Sequence, residues 1–463
     1  MRFTVLAHCA FAVCAAVSIL AGCGGGSTPV APSALSNTGV APPPRRSDAD
    51  VIYTFQGGAD GRTPVAGLLY ANGQFYGTAA GDGVNGAGTA FKISPSGTIS
   101  TLYSFGSFQD DGNNPYSALI AGPGGVLYGD TVNGGPIPCR CGVVYELVPS
   151  GSGYTETVIH AFQGGSDGES PVGSLLLDQS GALYGTTPGG GASPACSNPS
   201  YAGGCGTVFK LTPSGSGFTE SVLYSFQGGN DGAFPRGGVI ADGTGALYGT
   251  TVYGGGTSAS GCASGSGYES GCGTVFKLTP SGSGYTESIL YRFQGGADGA
   301  NPYSALVAGG NGALFGTTYK GGAVGSYTDS HGTVYELVPS GSVYSEHIIL
   351  YFDRTNAAFP RDENGLYADS NGNLYGTTFN GGSGVSCGTV FKLAPSRSGF
   401  KYRELYRFGG THVYGVQDGC NPAASVAPDS SGTLYGTTNF GGLHRAFDHH
   451  HHLGFGTVFK VSP

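Results

Sequence analysis

The chain has 463 residues, of which only 11% are charged, with 20 Lys and Arg against 29 Asp and Glu for a formal net charge of −9. No basic stripe is available to neutralise phosphates, so nucleic acid is excluded as a partner. Gly contributes 89 residues and Pro 26, but the glycines stand at fixed places between β-branched and aromatic runs, which is turn chemistry rather than disorder.

Residues 1–22 carry a lone Arg2 and an apolar stretch from Phe11 to Leu20 that is too short to span a bilayer, the pattern of a secretory signal. Leu20-Ala21-Gly22-Cys23 resembles the lipobox of bacterial lipoproteins. That resemblance implies cleavage before Cys23, lipidation of its thiol and a membrane partner through the lipid, and Gly24 after it permits the outer membrane. An ordinary signal peptide that happens to contain a cysteine is the alternative. Residues 23–50 are rich in Gly, Pro and Ser and include Pro42-Pro43-Pro44. They read as a tether with a reach of about 30 Å.

From residue 51 to 463 one unit recurs seven times, and its fullest copy runs from Leu247-Tyr248-Gly249-Thr250-Thr251 to Gly273-Thr274-Val275-Phe276-Lys277-Leu278. Each copy contains four strand-like runs separated by turn signals, in the third copy Pro171 to Asp178, Ala182 to Thr187, Gly206 to Thr212 and Phe218 to Phe226. The expected fold is therefore all-β, a seven-bladed β-propeller of four-stranded antiparallel blades. A β-helix fits poorly, because units this long and this unequal in length would not stack. The last copy lacks a fourth strand, and Val51-Ile52-Tyr53-Thr54-Phe55 matches the missing one. The N-terminal strand is thus expected to close the ring and remove the free edge. Second-to-third and fourth-to-first loops share one face and vary in length, and binding is expected there.

The recurring Leu-Tyr-Gly-Thr-Thr, the Gly-Gly step and Gly-Thr-Val-Phe-Lys-Leu-Thr-Pro together resemble the GloVer-type tandem repeat of bacterial surface proteins, over Val51 to Pro463. Copy two departs from it at Gly129-Asp130-Thr131 and Gly142-Val143-Val144, and copy six lacks the Asp-Gly loop. The resemblance implies an exported, surface-anchored protein and no settled activity.

Eight cysteines follow Cys23. An even set in an exported chain favours disulfides over a thiolate metal site: Cys196 with Cys205, Cys262 with Cys272, Cys387 with Cys420 between neighbouring blades, and Cys139 with Cys141, whose one-residue spacing makes a bridge strained. Asp60, Asp111, Asp167, Asp231, Asp298 and Asp418 each precede a glycine. One carboxylate per loop is poor supply for calcium, and Asp-Gly is a common turn pair. Glu156, Glu220, Glu287, Glu346 and Glu404 repeat around the ring, which disqualifies any of them as a single catalytic acid.

Exceptions to the repeat are more informative. Arg361, Asp362 and Glu363 stand where other innermost strands are small and apolar, Arg236 occupies the corresponding place in copy four, and His412 falls in a loop assigned to the same face. They form the expected ligand-binding set at the channel mouth, with a solvated rim as the alternative. His444 and His449, His450, His451 and His452, beside Asp448, can collect zinc, nickel or copper, or form a solvated loop tip. No other cofactor is implied, and no nucleophile elbow or phosphate cradle is present, so no catalytic residue is assigned.

The reading is a monomeric cell-envelope lipoprotein, at the outer membrane and facing the exterior or the periplasm. Its head acts as a binding or scaffold module for a glycan, peptide or envelope protein. The alternatives are a lyase or hydrolase with a metal-assisted site at the channel mouth, and a passive surface spacer. The absence of Trp disfavours sugar stacking, although 28 Tyr can substitute.

Overall fold

The computed structural model describes residues 49–463 except 152, 197–200, 202, 257–261, 263–270, 283, 323–330, 342, 354–356, 361–364, 382–386, 410–417 and 443–453. Seven four-stranded antiparallel sheets follow one another around an axis. Blade three is representative, with strands Leu176–Leu177, Leu183–Thr187, Thr207–Ser214 and Gly217–Ser225 from the axis outward. The described residues contain no α-helix.

The repeated unit dictates the sheet by its cross-strand partners. In blade four Gly249 lies opposite Phe276 and Tyr248 opposite Lys277. The ammonium of Lys277 sits 5.1 Å from the Tyr248 ring centroid, a cation–π pair on the face of the sheet that packs against blade five, with counterparts at Lys210 over Tyr184 and Lys392 over Tyr375. On the other side Phe276 is fully buried, and a methyl group on Gly249 would come within 2.5 Å of its Cζ. The glycine is needed because the ring lies directly over its backbone.

The hydrophobic core is distributed over the seven seams between blades, with one apolar cluster at each. A phenylalanine closing each outermost strand sets its ring edge against the buried aromatic of the next blade. The centroids are 5.1 Å apart for Phe226 with Phe276, 4.9 Å for Phe105 with Tyr145 and 5.0 Å for Phe408 with Phe459. Such a pair contributes about 0.5–1.5 kcal/mol beyond the area it buries. Closer to the axis, threonine hydroxyls of the second strands donate to carbonyls of the next blade, as Thr186 does to Gly237 at 3.1 Å and Thr250 to Ser304 at 2.9 Å.

Closure follows the expectation. Asp50–Thr54 pairs with Thr457–Val461 as the outermost strand of blade seven, and Phe55 meets Phe91 of blade one at 5.3 Å. The innermost strands differ from the expectation in length. Only two residues pair in blade three where eight were expected, because the preceding segment packs against the adjacent blade four: a methyl on Gly173 would lie 2.5 Å from the amide nitrogen of Gly238. The backbone there serves two blades and cannot complete a ladder with one. The cysteines pair as Cys139–Cys141, Cys196–Cys205, Cys262–Cys272 and Cys387–Cys420, the last bridging blades six and seven.

Phe55→Ala should cost about 3–5 kcal/mol, the usual loss for a fully buried phenylalanine. Deleting residues 50 to 55 should lower the thermal midpoint further, because it also opens the edge of blade seven. Equal midpoints for the deletion and the intact chain would show that the ring does not depend on this closure.

Candidate functional site

The fourth-to-first loops show what the repeated aspartates do. Asp231 accepts from the Tyr224 hydroxyl at 2.8 Å and from the Gln227 amide at 2.6 Å. Asp60 is held in the same way by Tyr53 and Gln56, and Asp111 by Tyr103 and Ser107. His160 replaces the tyrosine against Asp167 at 3.2 Å. These carboxylates clamp a turn, as the Asp-Gly pairs led one to expect, and among the described residues no group of three or more His, Cys, Asp or Glu is placed to hold a metal.

Behind the clamps of Asp111, Asp167, Asp231 and Asp298 lies a glutamate of the following blade, Glu156, Glu220, Glu287 and Glu346 in turn. Burial, with the Asp111 charge next, pushes Glu156 up to about 8. Burial and then Asp231 push Glu287 up to about 7, and burial and then Asp298 push Glu346 up to about 9. On the opposite face the hairpin aspartates behave in reverse. Burial raises Asp242, but the hydroxyls of Thr244 and Tyr248 and two turn amides outweigh it and leave the carboxyl at about 2.

Of the expected site residues, Arg236 is placed. It follows Pro235 at the axial end of blade four, half-buried, with its guanidinium 5.6 Å from the Tyr303 ring centroid. Tyr303 begins a line of rings continuing through Tyr319 at 5.4 Å and Phe359 at 5.2 Å to His331 at 5.5 Å. Cys23, Arg361, Asp362, Glu363, His412, His444, His449, His450, His451 and His452 lie outside the described residues.

Two cavities open on the long-loop face. The larger, about 690 Å³, lies between the loop joining blades one and two and the second-to-third loop of blade two. Phe108, Gln109, Asn113, Asn133 and Arg140 bring a ring, three amides and a guanidinium to its walls, while Asp111 in the same wall is occupied by its own turn. The smaller, about 260 Å³, is lined by Thr63, Val65, Tyr116, Phe379, Ala423, Asn439 and Phe440. These belong to blades six, seven, one and two, so it lies at the axial mouth.

Six large apolar side chains are well exposed among the described residues, and four of them, Val84, Phe108, Tyr116 and Ile137, belong to this face in blades one and two, 37–76% exposed. Val148 and Val343 are near the opposite face. Neither cavity contains a residue that the sequence assigned to ligand binding; of the lining, only Asp111 and Cys139 were singled out, for a turn and a disulfide. The signal that pointed their way is copy two's departure from the repeat, which flanks the larger cavity.

The family model described as the Gloeobacter/Verrucomicrobia repeat matches residues 42–263 and 257–463. Comparison with curated proteins gives no match. Among solved structures the chain is similar to a gluconolactonase from Xanthomonas campestris, at 12% identity over 90% of this chain and 91% of that one with a TM-score of 0.40. It is also similar to the PQQ-bound aldose sugar dehydrogenase from Streptomyces coelicolor, at 13% identity over 78% and 97% with a TM-score of 0.42, and to a protein from Lactobacillus plantarum, at 12% over 79% and 88% with a TM-score of 0.46.

The two carboxyl sets give the head a defined pH response. A glutamate whose pKa is higher folded than unfolded holds its proton longer in the native state, so its stabilisation is complete below the ordinary 4.5 and is lost as pH rises through about 7 for Glu287, 8 for Glu156 and 9 for Glu346. Asp242 stabilises above its ordinary 3.8 and ceases to as pH falls through about 2. Thermal midpoints should peak near about pH 4.5 and fall toward alkaline pH. Glu346→Gln should flatten that fall and raise the midpoint at alkaline pH by a few degrees. A wild-type midpoint that is constant from mildly acidic to alkaline pH would rule the response out.

Proposed function

We propose, on the premise that the chain belongs to the Gloeobacter/Verrucomicrobia repeat family, that it is an envelope-anchored recognition module which binds a glycan, peptide or envelope protein through the long-loop face of blades one and two. The observation that carries this reading is the coincidence of exposed apolar side chains, a 690 Å³ cavity lined by amides and a guanidinium, and the copy that departs from the repeat. Equivalent blades offer equivalent surfaces, so a unique partner has to be met by what one or two blades do differently.

The anchoring part rests on Leu20-Ala21-Gly22-Cys23 and on four disulfides, which suit an oxidising compartment. Asp50 lies beside Lys460 at the short-turn end of blade seven, and Thr54 lies beside Thr457 at the long-loop end.

Two measurements test the parts separately. Cys23→Ser should abolish fatty-acid labelling and release the chain from the membrane fraction; continued labelling would refute lipidation there. In glycan and peptide arrays and with isolated envelope fragments, Phe108→Ala together with Arg140→Ala should weaken binding by the full chain at least about tenfold, the loss of a ring contact and a charge-assisted hydrogen bond. Val148→Ser, near the other face, should leave it unchanged. Binding that survives the double variant would place recognition elsewhere.

A further inference from the structure

The larger cleft carries an inference about the chemistry of its ligand, which rests on that cleft being the recognition site. Arg140 stands two residues before the glycine that precedes the third strand, and in blades one, three, four and seven that place is Gly86, Gly204, Gly271 and Gly454. All five are left-handed, with φ of 54° at Arg140 and 78–92° at the glycines. A side chain in that region costs about 1–2 kcal/mol that glycine avoids. The guanidinium makes no ion pair and no side-chain hydrogen bond among the described residues, so nothing in the fold calls for it. It lines the cleft, and its backbone is fixed by an amide bond to the Pro136 carbonyl at 3.1 Å and by the Cys139–Cys141 bridge on either side. A second departure shares the same cleft. Asn113 and Asn133 are partners on a two-residue ladder, so both carboxamides project from one face of it. The matching pairs elsewhere are of other kinds, such as Arg62 with Gly81, Ala233 with Tyr253 and Ala300 with Lys320. Asn133 donates to the Asn114 side chain at 3.1 Å, while the Asn113 and Gln109 amides make no side-chain hydrogen bond among the described residues.

These groups select a ligand. A carboxamide both donates and accepts, which matches a hydroxyl, whereas a guanidinium only donates and matches a carboxylate through two parallel N–H bonds. Asp111, the other charged residue of the lining, has its oxygens filled by Tyr103, Ser107 and Gly112 at 2.6–2.8 Å, so the charge left open to a ligand is positive. Phe108, 49% exposed, offers a ring to C–H groups. An extended peptide would need a strand edge, and the backbones of Gly112–Asn113 and Asn133–Gly134 are already paired with each other. A cleft of about 690 Å³ has the room of about 23 waters at roughly 30 Å³ each, space for a few sugar rings in a row. We infer that the cleft binds an acidic glycan through a hexuronate unit, with the carboxylate on the Arg140 guanidinium, hydroxyls on Asn113, Asn133 and Gln109, and a sugar face against Phe108.

The full chain is titrated by calorimetry with oligomers of galacturonate, mannuronate and glucuronate, each beside its methyl ester, and with a sulfated galactan. At least one acid should bind with a Kd of about 1 mM or tighter, and at least tenfold more tightly than its ester. Arg140→Gln should erase that preference, so that acid and ester bind alike, while Asn113→Ala should weaken both and keep their ratio. Arg140→Gly, the residue of the other blades, should also erase it with an unchanged or higher thermal midpoint, because glycine relieves the left-handed backbone. It serves as well if the glutamine variant does not fold. Loss of binding in Arg140→Gly accompanied by a lowered midpoint would show that the arginine acts by holding its loop and would overturn the inference. Failure of every uronate, an acid that binds no better than its ester, or a sulfated galactan that binds where the uronates do not would overturn it too. A neutral sugar or a peptide found on the arrays and lost on Phe108→Ala with Arg140→Ala would sink this inference and leave the cleft reading standing. A uronate whose binding ignores Phe108, Asn113 and Arg140 alike would sink both.

Discussion

A glycine and an aromatic ring facing each other across two strands set the geometry of the whole molecule. Because Gly249 has no side chain, Phe276 can lie against its backbone, fully buried. With the ring held there, the edge of Phe226 from the preceding blade has a fixed surface to meet at 5.1 Å. The same three-part contact recurs at Gly77, Phe91 and Phe55, which is how a strand from the N-terminal end of the domain closes onto blade one by the interaction used everywhere else. Closure needs no special device. It is the seventh repetition of one contact, and its alternative is an exposed edge.

That economy restricts where recognition can be built. Residues of the repeat are spent on seams, turn clamps and the axis: the threonines bond the next blade, the aspartates hold their loops, and the small innermost residues let the backbones of adjacent blades meet near the axis. Changing any of them at one blade disturbs a neighbour. Side chains at the tips of the long-loop face have no such duty, and Phe108, Arg140 and Ile137 are exposed there without holding a seam together.

The architecture was legible from sequence because packing repeats. Seven copies, the closing strand and the Cys387–Cys420 bridge between blades all follow from register, and the structure reproduces them. The innermost strands were misjudged in length because a run such as Pro171 to Asp178 does not reveal that half of it faces another blade rather than its own sheet. The cavities were less legible still. Phe108 and Arg140 are single-copy residues in loops whose lengths differ between copies, and Asn439 is a polar residue just after a strand, where exposure is the natural expectation. Only the three-dimensional placement shows that it is buried with its oxygen unsatisfied. Arg236 was readable because it interrupts an otherwise small-residue position, and the structure adds the ring of Tyr303 beside it, with Tyr319 against that ring.

Both cavities lie on the side of the ring where the chain closes on itself: the larger between blades one and two, the smaller across blades six, seven, one and two. Terminal copies of a repeat array are commonly atypical, since one flank of each is made by a join rather than by an internal neighbour. Here the join places the first strand at the outer edge of blade seven, running toward the long-loop face. Asp50 therefore lies at the short-turn end of the strands, while both cavities open at the long-loop end.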